Sequence, residues 1–77
     1  MRKQTYELYS SANKRVSGNI RRLLKARKMT VEALAVEADL DQGNVYNMMN
    51  EKINFTMRAI VRIEKALGVD LSDLFRK

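Results

Sequence analysis

The fold is decided by residues 30–50, which read TVEALAVEADLDQGNVYNMMN. Thr30 is a favourable N-cap, and the apolar residues that follow recur at helical spacing: Leu34, Ala35 and Ala38. This pattern is interrupted at residues 39–41, because Asp39 tolerates the left-handed conformation that ends a helix and Asp41 can cap the next one. We therefore predict two short helices joined by a tight turn.

The second of these helices, predicted over residues 41–49, has an apolar face and an uncharged polar face. At 100° per residue Val45 and Met48 point inward with Met49 at their border, while Gln42, Gly43, Tyr46, Asn47 and Asn50 are exposed. Asn and Gln suit bidentate recognition of adenine, and Gly permits close backbone approach. A second helix with such a face is typical of the helix-turn-helix plan, in which it enters the DNA major groove. A merely solvated amide face is the alternative.

Composition limits the class of protein. The chain has 77 residues, enough for one domain, and it has no cysteine or histidine, which excludes a disulfide framework and a zinc finger. Proline is absent and glycine is rare, as expected of an all-α bundle. No apolar run reaches membrane-spanning length and no signal-peptide core is visible, so we expect a cytoplasmic protein without cofactor or metal.

The net charge of +6 is unevenly distributed. Residues 1–29 carry nine Lys and Arg against Glu7 alone, whereas residues 30–77 carry six against eight acidic residues. A basic half suggests a polyanionic partner, although a solvated basic face would give the same count.

Residues 1–13 form a basic lead-in, flexible or partly helical, ahead of the domain predicted over residues 14–77. Three interpretations of this segment stay open: a weakly packed lead-in, an arm that lays Arg2 and Lys3 on DNA, or dimer packing through Tyr6 and Tyr9.

Three further helices complete the domain. The first, over residues 14–28, carries one apolar face: Val16, Ile20, Leu23 and Leu24. Thr56 caps another, for which we predict the core residues Met57, Ile60, Ile63 and Leu67, and Gly68 ends it. Asp70 caps a last short turn, and Ile53 and Phe55 anchor the preceding loop to the core. We interpret the methionines at 29, 48, 49 and 57 as core residues.

Read together, residues 16–75 resemble the Cro/C1 (lambda repressor-like) helix-turn-helix family. The landmarks are Ile20-Arg21-Arg22-Leu23, Thr30, Leu34-Ala35, Val45, Asn50, Lys52, and Ala66-Leu67-Gly68-Val69 followed by Leu74-Phe75. The resemblance implies a compact five-helix domain, with helices two and three as the helix-turn-helix. It also implies binding of double-stranded operator DNA, commonly as a homodimer, to regulate transcription, most simply as a repressor.

The resemblance assigns site residues by position. Gln42, Gly43 and Asn47 fall where the family contacts base edges, and Asn44 and Tyr46 flank them. Asn50 and Lys52 fall where the family grips the DNA backbone. We add Asn54, in the same loop, and Thr30, at the N-terminus of the second helix, as predicted phosphate contacts.

Two departures from the family pattern have consequences. Val31 stands where many members have a Gln that contacts phosphate, so that contact should be missing. Asp39 replaces the usual turn glycine, at some cost in strain. Asp39 and Asp41 also place negative charge near the turn, which should weaken non-specific DNA binding.

A homodimer is also suggested by residues near the C-terminus. Leu71, Leu74 and Phe75 are more apolar surface than a short terminal turn readily buries alone, so we predict them as dimer contacts.

The main competing function is a protein-interaction module of the same fold, such as an antitoxin, anti-repressor or adaptor. The uncharged face with Tyr46 and Met49 would suit a protein partner nearly as well as a groove. An enzyme is not expected, because no paired catalytic constellation stands out and Glu32, Glu37 and Glu64 sit on helix surfaces, where solvation is the ordinary state. No small-molecule ligand or membrane partner is expected.

Overall fold

Four of the five helices begin directly after a threonine or an aspartate. A computed structural model describes residues 3–77, with side chains from residue 9 onward. Its helices are α1 (Lys3–Arg27), α2 (Val31–Ala38), α3 (Gln42–Met49), α4 (Met57–Leu67) and α5 (Leu71–Phe75), and the described residues contain no strand. The all-α, five-helix prediction is confirmed.

The predicted caps account for most helix boundaries. At the starts of α2, α3 and α4, the cap's side-chain oxygen accepts a hydrogen bond from the backbone N–H three residues on, at 2.9–3.0 Å. Asp39 ends α2 in the left-handed conformation (φ 54°), and Gly68 ends α4 in the same way (φ 65°). Lys28 and Glu51 adopt positive φ after α1 and α3, which the sequence did not signal.

The first helix is longer than predicted. It begins at Lys3 rather than Lys14 and runs for 25 residues. No Pro or Gly interrupts residues 3–13, and extending a helix that is already anchored by packing costs far less than starting one. The proposed Arg2 contact, and the side chains of Lys3 and Tyr6, lie outside the described part; Tyr9 is half exposed. Among the described helices none is long and apolar enough to cross a membrane.

One apolar cluster joins all five helices. The helix-turn-helix pair contributes Leu34, Ala35, Ala38, Val45, Met48 and Met49, and the other helices contribute Val16, Ile20, Leu24, Ala59, Ile60, Ile63, Leu67 and Leu74. Helix α1 packs on α5 and α3, and α2 packs on α3 and α4. The core therefore fixes the angle between α2 and α3 from behind and leaves their other faces to solvent.

Two predicted core contacts are wrong. Met57 is 67% exposed, because it is the first residue of α4 and lies about 100° away from the face centred on Ile60 and Ile63. Ala59 takes the inward position instead. Ile53 is 43% exposed, so of the two predicted loop anchors only Phe55 packs against the core.

A buried asparagine, not singled out from the sequence, ties the C-terminal segment to α1. The side-chain amide of Asn19 donates to the backbone carbonyls of Leu74 and Arg76, at 2.8 and 2.7 Å. Its oxygen accepts a hydrogen bond from Arg22 at 2.7 Å. Because a buried amide without partners is costly, these bonds specify how α5 docks.

Candidate nucleic-acid interface

The helix-turn-helix turn is built from backbone hydrogen bonds and one strained residue. Asp39 holds positive φ, and the N–H of Leu40 donates to the carbonyl of Ala35 at 2.9 Å. Asp41 then caps α3 by accepting a hydrogen bond from the N–H of Asn44. The half-buried side chain of Leu40 packs against the core between them. These contacts place α3 at a set angle across the end of α2.

Helix α3 separates its residues into the two faces that the sequence predicted. Val45, Met48 and Met49 are buried. Every predicted base-contact residue is exposed: Gln42, Gly43, Asn44, Tyr46 and Asn47. This outer face carries no formal charge but offers amide donors and acceptors, the groups that distinguish base edges in a major groove.

Gly43 has a local structural reason as well. A Cβ built at this position would lie 3.2 Å from the Asp41 carboxylate oxygen that caps α3. A side chain here would therefore press on the cap, in addition to widening the outer face.

The predicted phosphate contacts lie at the start of α2 and just after α3. Thr30 is exposed, and its oxygen accepts from Ala33 while its hydroxyl proton stays available. The side-chain oxygens of Asn50 and Asn54 accept hydrogen bonds from Arg21 and Asn13, which leaves each amide NH₂ as a donor. Lys52 is exposed in the same loop.

Helices α2 and α3 are joined on their exposed side by a hydrogen bond that the sequence did not predict. The hydroxyl of Tyr46 donates to a carboxylate oxygen of Glu32. This bond is the main cause that holds the pKa of the Glu32 carboxyl below its usual value, and it raises the pKa of the Tyr46 hydroxyl. The sequence had placed Glu32 on the solvated surface. Its contact with Tyr46 could not be predicted, because 14 residues separate the two partners and only the turn brings them together.

Three arginine side chains donate hydrogen bonds to the C-terminal carbonyls of other helices. Arg21 donates to the carbonyl of Met49 at the end of α3 (2.9 Å), and Arg27 donates to the carbonyl of Leu67 at the end of α4. Arg62 reaches the carbonyl of Ala38 at the end of α2 at 3.4 Å. Cations at helix C-termini are favourable because they meet unsatisfied carbonyls and the negative end of the helix dipole.

A comparison with family models identifies the kind of domain. Residues 19–76 match the model described as a Cro/C1-type HTH DNA-binding domain, which covers more than half of the chain. The chain belongs to the Cro/C1-type helix-turn-helix family. No curated protein and no solved structure matches it.

As a Cro/C1-type domain, the protein departs from the family pattern at two places that the structure explains. Val31 is half-buried and packs against the core, and its aliphatic side chain has no group that could bind phosphate. Asp39 adopts the left-handed conformation that a turn glycine would otherwise supply, and its carboxylate lies 3.5 Å from Arg62. The turn of this Cro/C1-type domain therefore survives without glycine.

One of the predicted dimer contacts needs correction. Leu74 is completely buried within the chain, where α5 packs on α1, so its side chain is not available to a second copy. Leu71 and Phe75 are 39% and 38% exposed. The short C-terminal helix buries more than predicted because Asn19 holds its carbonyl end against α1.

Proposed function

We propose that the protein binds double-stranded DNA sequence-specifically by inserting α3 into the major groove, and that it regulates transcription as a repressor. The observation that carries the proposal is the exposed, uncharged amide face of α3 on a Cro/C1-type domain. Gln42, Asn44 and Asn47 would read base edges, and Gly43 would let the backbone come close. Activity in the cytoplasm, without a cofactor or catalysis, is part of this proposal.

Backbone contacts would set the register of α3 in the groove. Thr30 would donate its hydroxyl proton to one phosphate, and Asn50, Lys52 and Asn54 would hold another region of the backbone. The bonds from Arg21 and Asn13 to Asn50 and Asn54 support this assignment, because they fix the amide oxygens and orient the NH₂ donors.

A homodimer through α5 would place two copies of α3 on one operator. The exposed side chains of Leu71 and Phe75 support this part of the proposal. Two half-sites would then lie about one helical turn (~34 Å) apart on the duplex. A mass that stays monomeric at every concentration, in solution and on the operator duplex, would contradict it.

A protein-interaction role of the same fold is the second candidate. The observation in its favour is a set of exposed apolar side chains outside the core: Val36, Ile53, Met57 and Val61, the first of them 80% exposed. An antitoxin, anti-repressor or adaptor could use such a surface.

Selection from a pool of randomised duplexes, at low and at moderate salt, separates these functions. We expect an enriched inverted repeat whose binding weakens steeply as salt rises, because contacts to phosphates release counterions. Retention without an enriched sequence would contradict base reading. No retention at either salt would contradict DNA binding and favour the protein partner.

A further inference from the structure

The hydrogen bond between Tyr46 and Glu32 is not part of the apolar core, because both side chains are exposed. It links the middle of α3 to the first turn of α2 on the side away from the apolar cluster. On the proposed DNA complex this is the side that faces the duplex, with the predicted phosphate contact Thr30 two residues before Glu32. We therefore expect the Tyr46–Glu32 pair to affect DNA binding.

Glu32 brings a negative charge that forms no ion pair among the described residues. In the part of the chain that the structure describes, the ion pairs join Arg62 to Asp39 and Arg76 to Asp73. Asp41 uses its carboxylate to cap α3. Of the acidic residues around the turn, Glu32 is thus the one whose partner is a neutral hydroxyl, which fixes the carboxylate in place without reducing its charge.

The partners of the Glu32 carboxylate limit what it can do. The Tyr46 hydroxyl donates a hydrogen bond to one of its oxygens. A carboxylate has room for about four hydrogen bonds. The bond from Tyr46 uses part of that capacity and holds the carboxylate against α3, and the charge of the carboxylate still acts on nearby phosphates.

We propose that Glu32, held in place by Tyr46, lowers the affinity of the protein for the phosphate backbone of every duplex. Binding at moderate salt then depends on base contacts from α3, which only the right sequence supplies. The pair lowers the affinity for all duplexes without changing the ratio between them, and Tyr46 contributes its hydroxyl to Glu32 rather than to a base. This inference rests on the proposed function.

Glu32→Gln tests the charge while it keeps an acceptor for Tyr46. Dissociation constants are measured by fluorescence anisotropy for the selected duplex and for an unrelated one. We expect Glu32→Gln to tighten both by about threefold to tenfold, as expected for one charge a few ångströms from phosphate. The ratio between the two duplexes should stay unchanged. Glu37→Gln is the matched control, because it removes the same charge from the far end of α2 and should leave both constants nearly unchanged.

The tether is tested by Tyr46→Phe with and without Glu32→Gln. Without the hydroxyl, the carboxylate is free to turn away from the duplex, so Glu32→Gln should have a smaller effect in the Phe background than in the wild type. An equal effect in both backgrounds would overturn the role of Tyr46.

Three other outcomes would overturn the inference in distinguishable ways. An unchanged affinity of Glu32→Gln on both duplexes would show that the charge does not act on the backbone. A loss confined to one base position would mean that Glu32 reads a base. If neither the wild type nor Glu32→Gln bound any duplex, the proposed function would fail, and this inference with it.

Discussion

The outer surface of α1 and the outer face of α3 differ in charge and in use. The first 29 residues carry nine Lys and Arg, whereas the exposed face of α3 carries no charge. Composition alone points to the basic segment as the site for a polyanion. Yet Arg21 and Arg27 of α1 bind the carbonyl ends of α3 and α4. Part of the positive charge thus holds helices in position, and the neutral surface is the better candidate for reading DNA.

The largest expected effect is on stability, and it distinguishes a buried residue of α1 from an exposed residue of α3. Ile20 is fully buried on α1, so Ile20→Ala should lower the free energy of unfolding by about 2–5 kcal/mol. Asn47 is exposed on α3, and Asn47→Ala should change it by no more than about 0.5 kcal/mol. Urea unfolding followed by circular dichroism measures both. A strongly destabilised Asn47→Ala would mean that this face is structural after all.

Base reading should depend on α3. Gln42→Ala and Asn47→Ala should each cost about 1–3 kcal/mol of binding free energy on the selected duplex and relax the preference at one base pair. Lys52→Ala should instead weaken binding to all sequences alike. Repeating the duplex selection with each variant checks this, and Lys65→Ala on α4 is the control for loss of a lysine. Unaltered preference in both amide variants would rule out α3 as the reading element.

The capping role of Arg21 predicts a smaller effect on stability. Arg21→Ala removes the donor to the carbonyl of Met49 and should cost about 1 kcal/mol in unfolding free energy. Lys25→Ala, one turn further along α1, should stay within about 0.5 kcal/mol, because this lysine is exposed and its side chain makes no hydrogen bond or ion pair among the described residues. Thermal and urea unfolding of the two variants compare them. Equal losses of unfolding free energy in the two variants would show that Arg21 stabilises the fold no more than an exposed lysine does.

The smallest expected effect is a shift in the pKa values of the Tyr46 hydroxyl and the Glu32 carboxyl. The Tyr46 hydroxyl has a pKa above its ordinary value of 10.0, and the Glu32 carboxyl has a pKa below its ordinary 4.5. The bond therefore contributes fully to stability between the two ordinary pKa values. Its contribution is lost as pH falls through the lowered pKa of the carboxyl, and it is lost again as pH rises through the raised pKa of the hydroxyl.

Tyrosinate absorbance follows this titration without DNA. Tyr46→Phe identifies the contribution of Tyr46, and Glu32→Gln should move its pKa back toward the ordinary value. Glu37→Gln should leave it in place. A Tyr46 hydroxyl that titrates normally in the wild type would show that the pair does not form in solution.

The sequence predicts most of the fold because its signals are local. Thr30, Asp41 and Thr56 act as caps through bonds within one turn, and buried residues such as Val45 and Ile63 follow helical spacing. The match over residues 19–76 confirms the family. The faces of α3 were predicted for the same reason, since they depend only on the position of each residue around one helix.

Features that depend on tertiary contacts were missed. The bonds of Asn19 to the end of α5 and of Tyr46 to Glu32 join residues far apart in sequence, so no periodicity reveals them. Met57 was placed in the core because it precedes Ile60 by three residues, although it lies about 100° from the face centred on Ile60 and Ile63. Leu74 was assigned to a dimer because the surface of α1 that covers it could not be foreseen.

The most direct test of the central claim is to map amide chemical shifts while the selected duplex is added to labelled protein. We expect the largest changes at residues 42–47, with further changes at Thr30 and at residues 50–54. Lys14, Arg15 and Lys25 on the outer surface of α1 should change little. The largest changes on α1, with α3 unaffected, would contradict it and make the basic helix the DNA-binding surface.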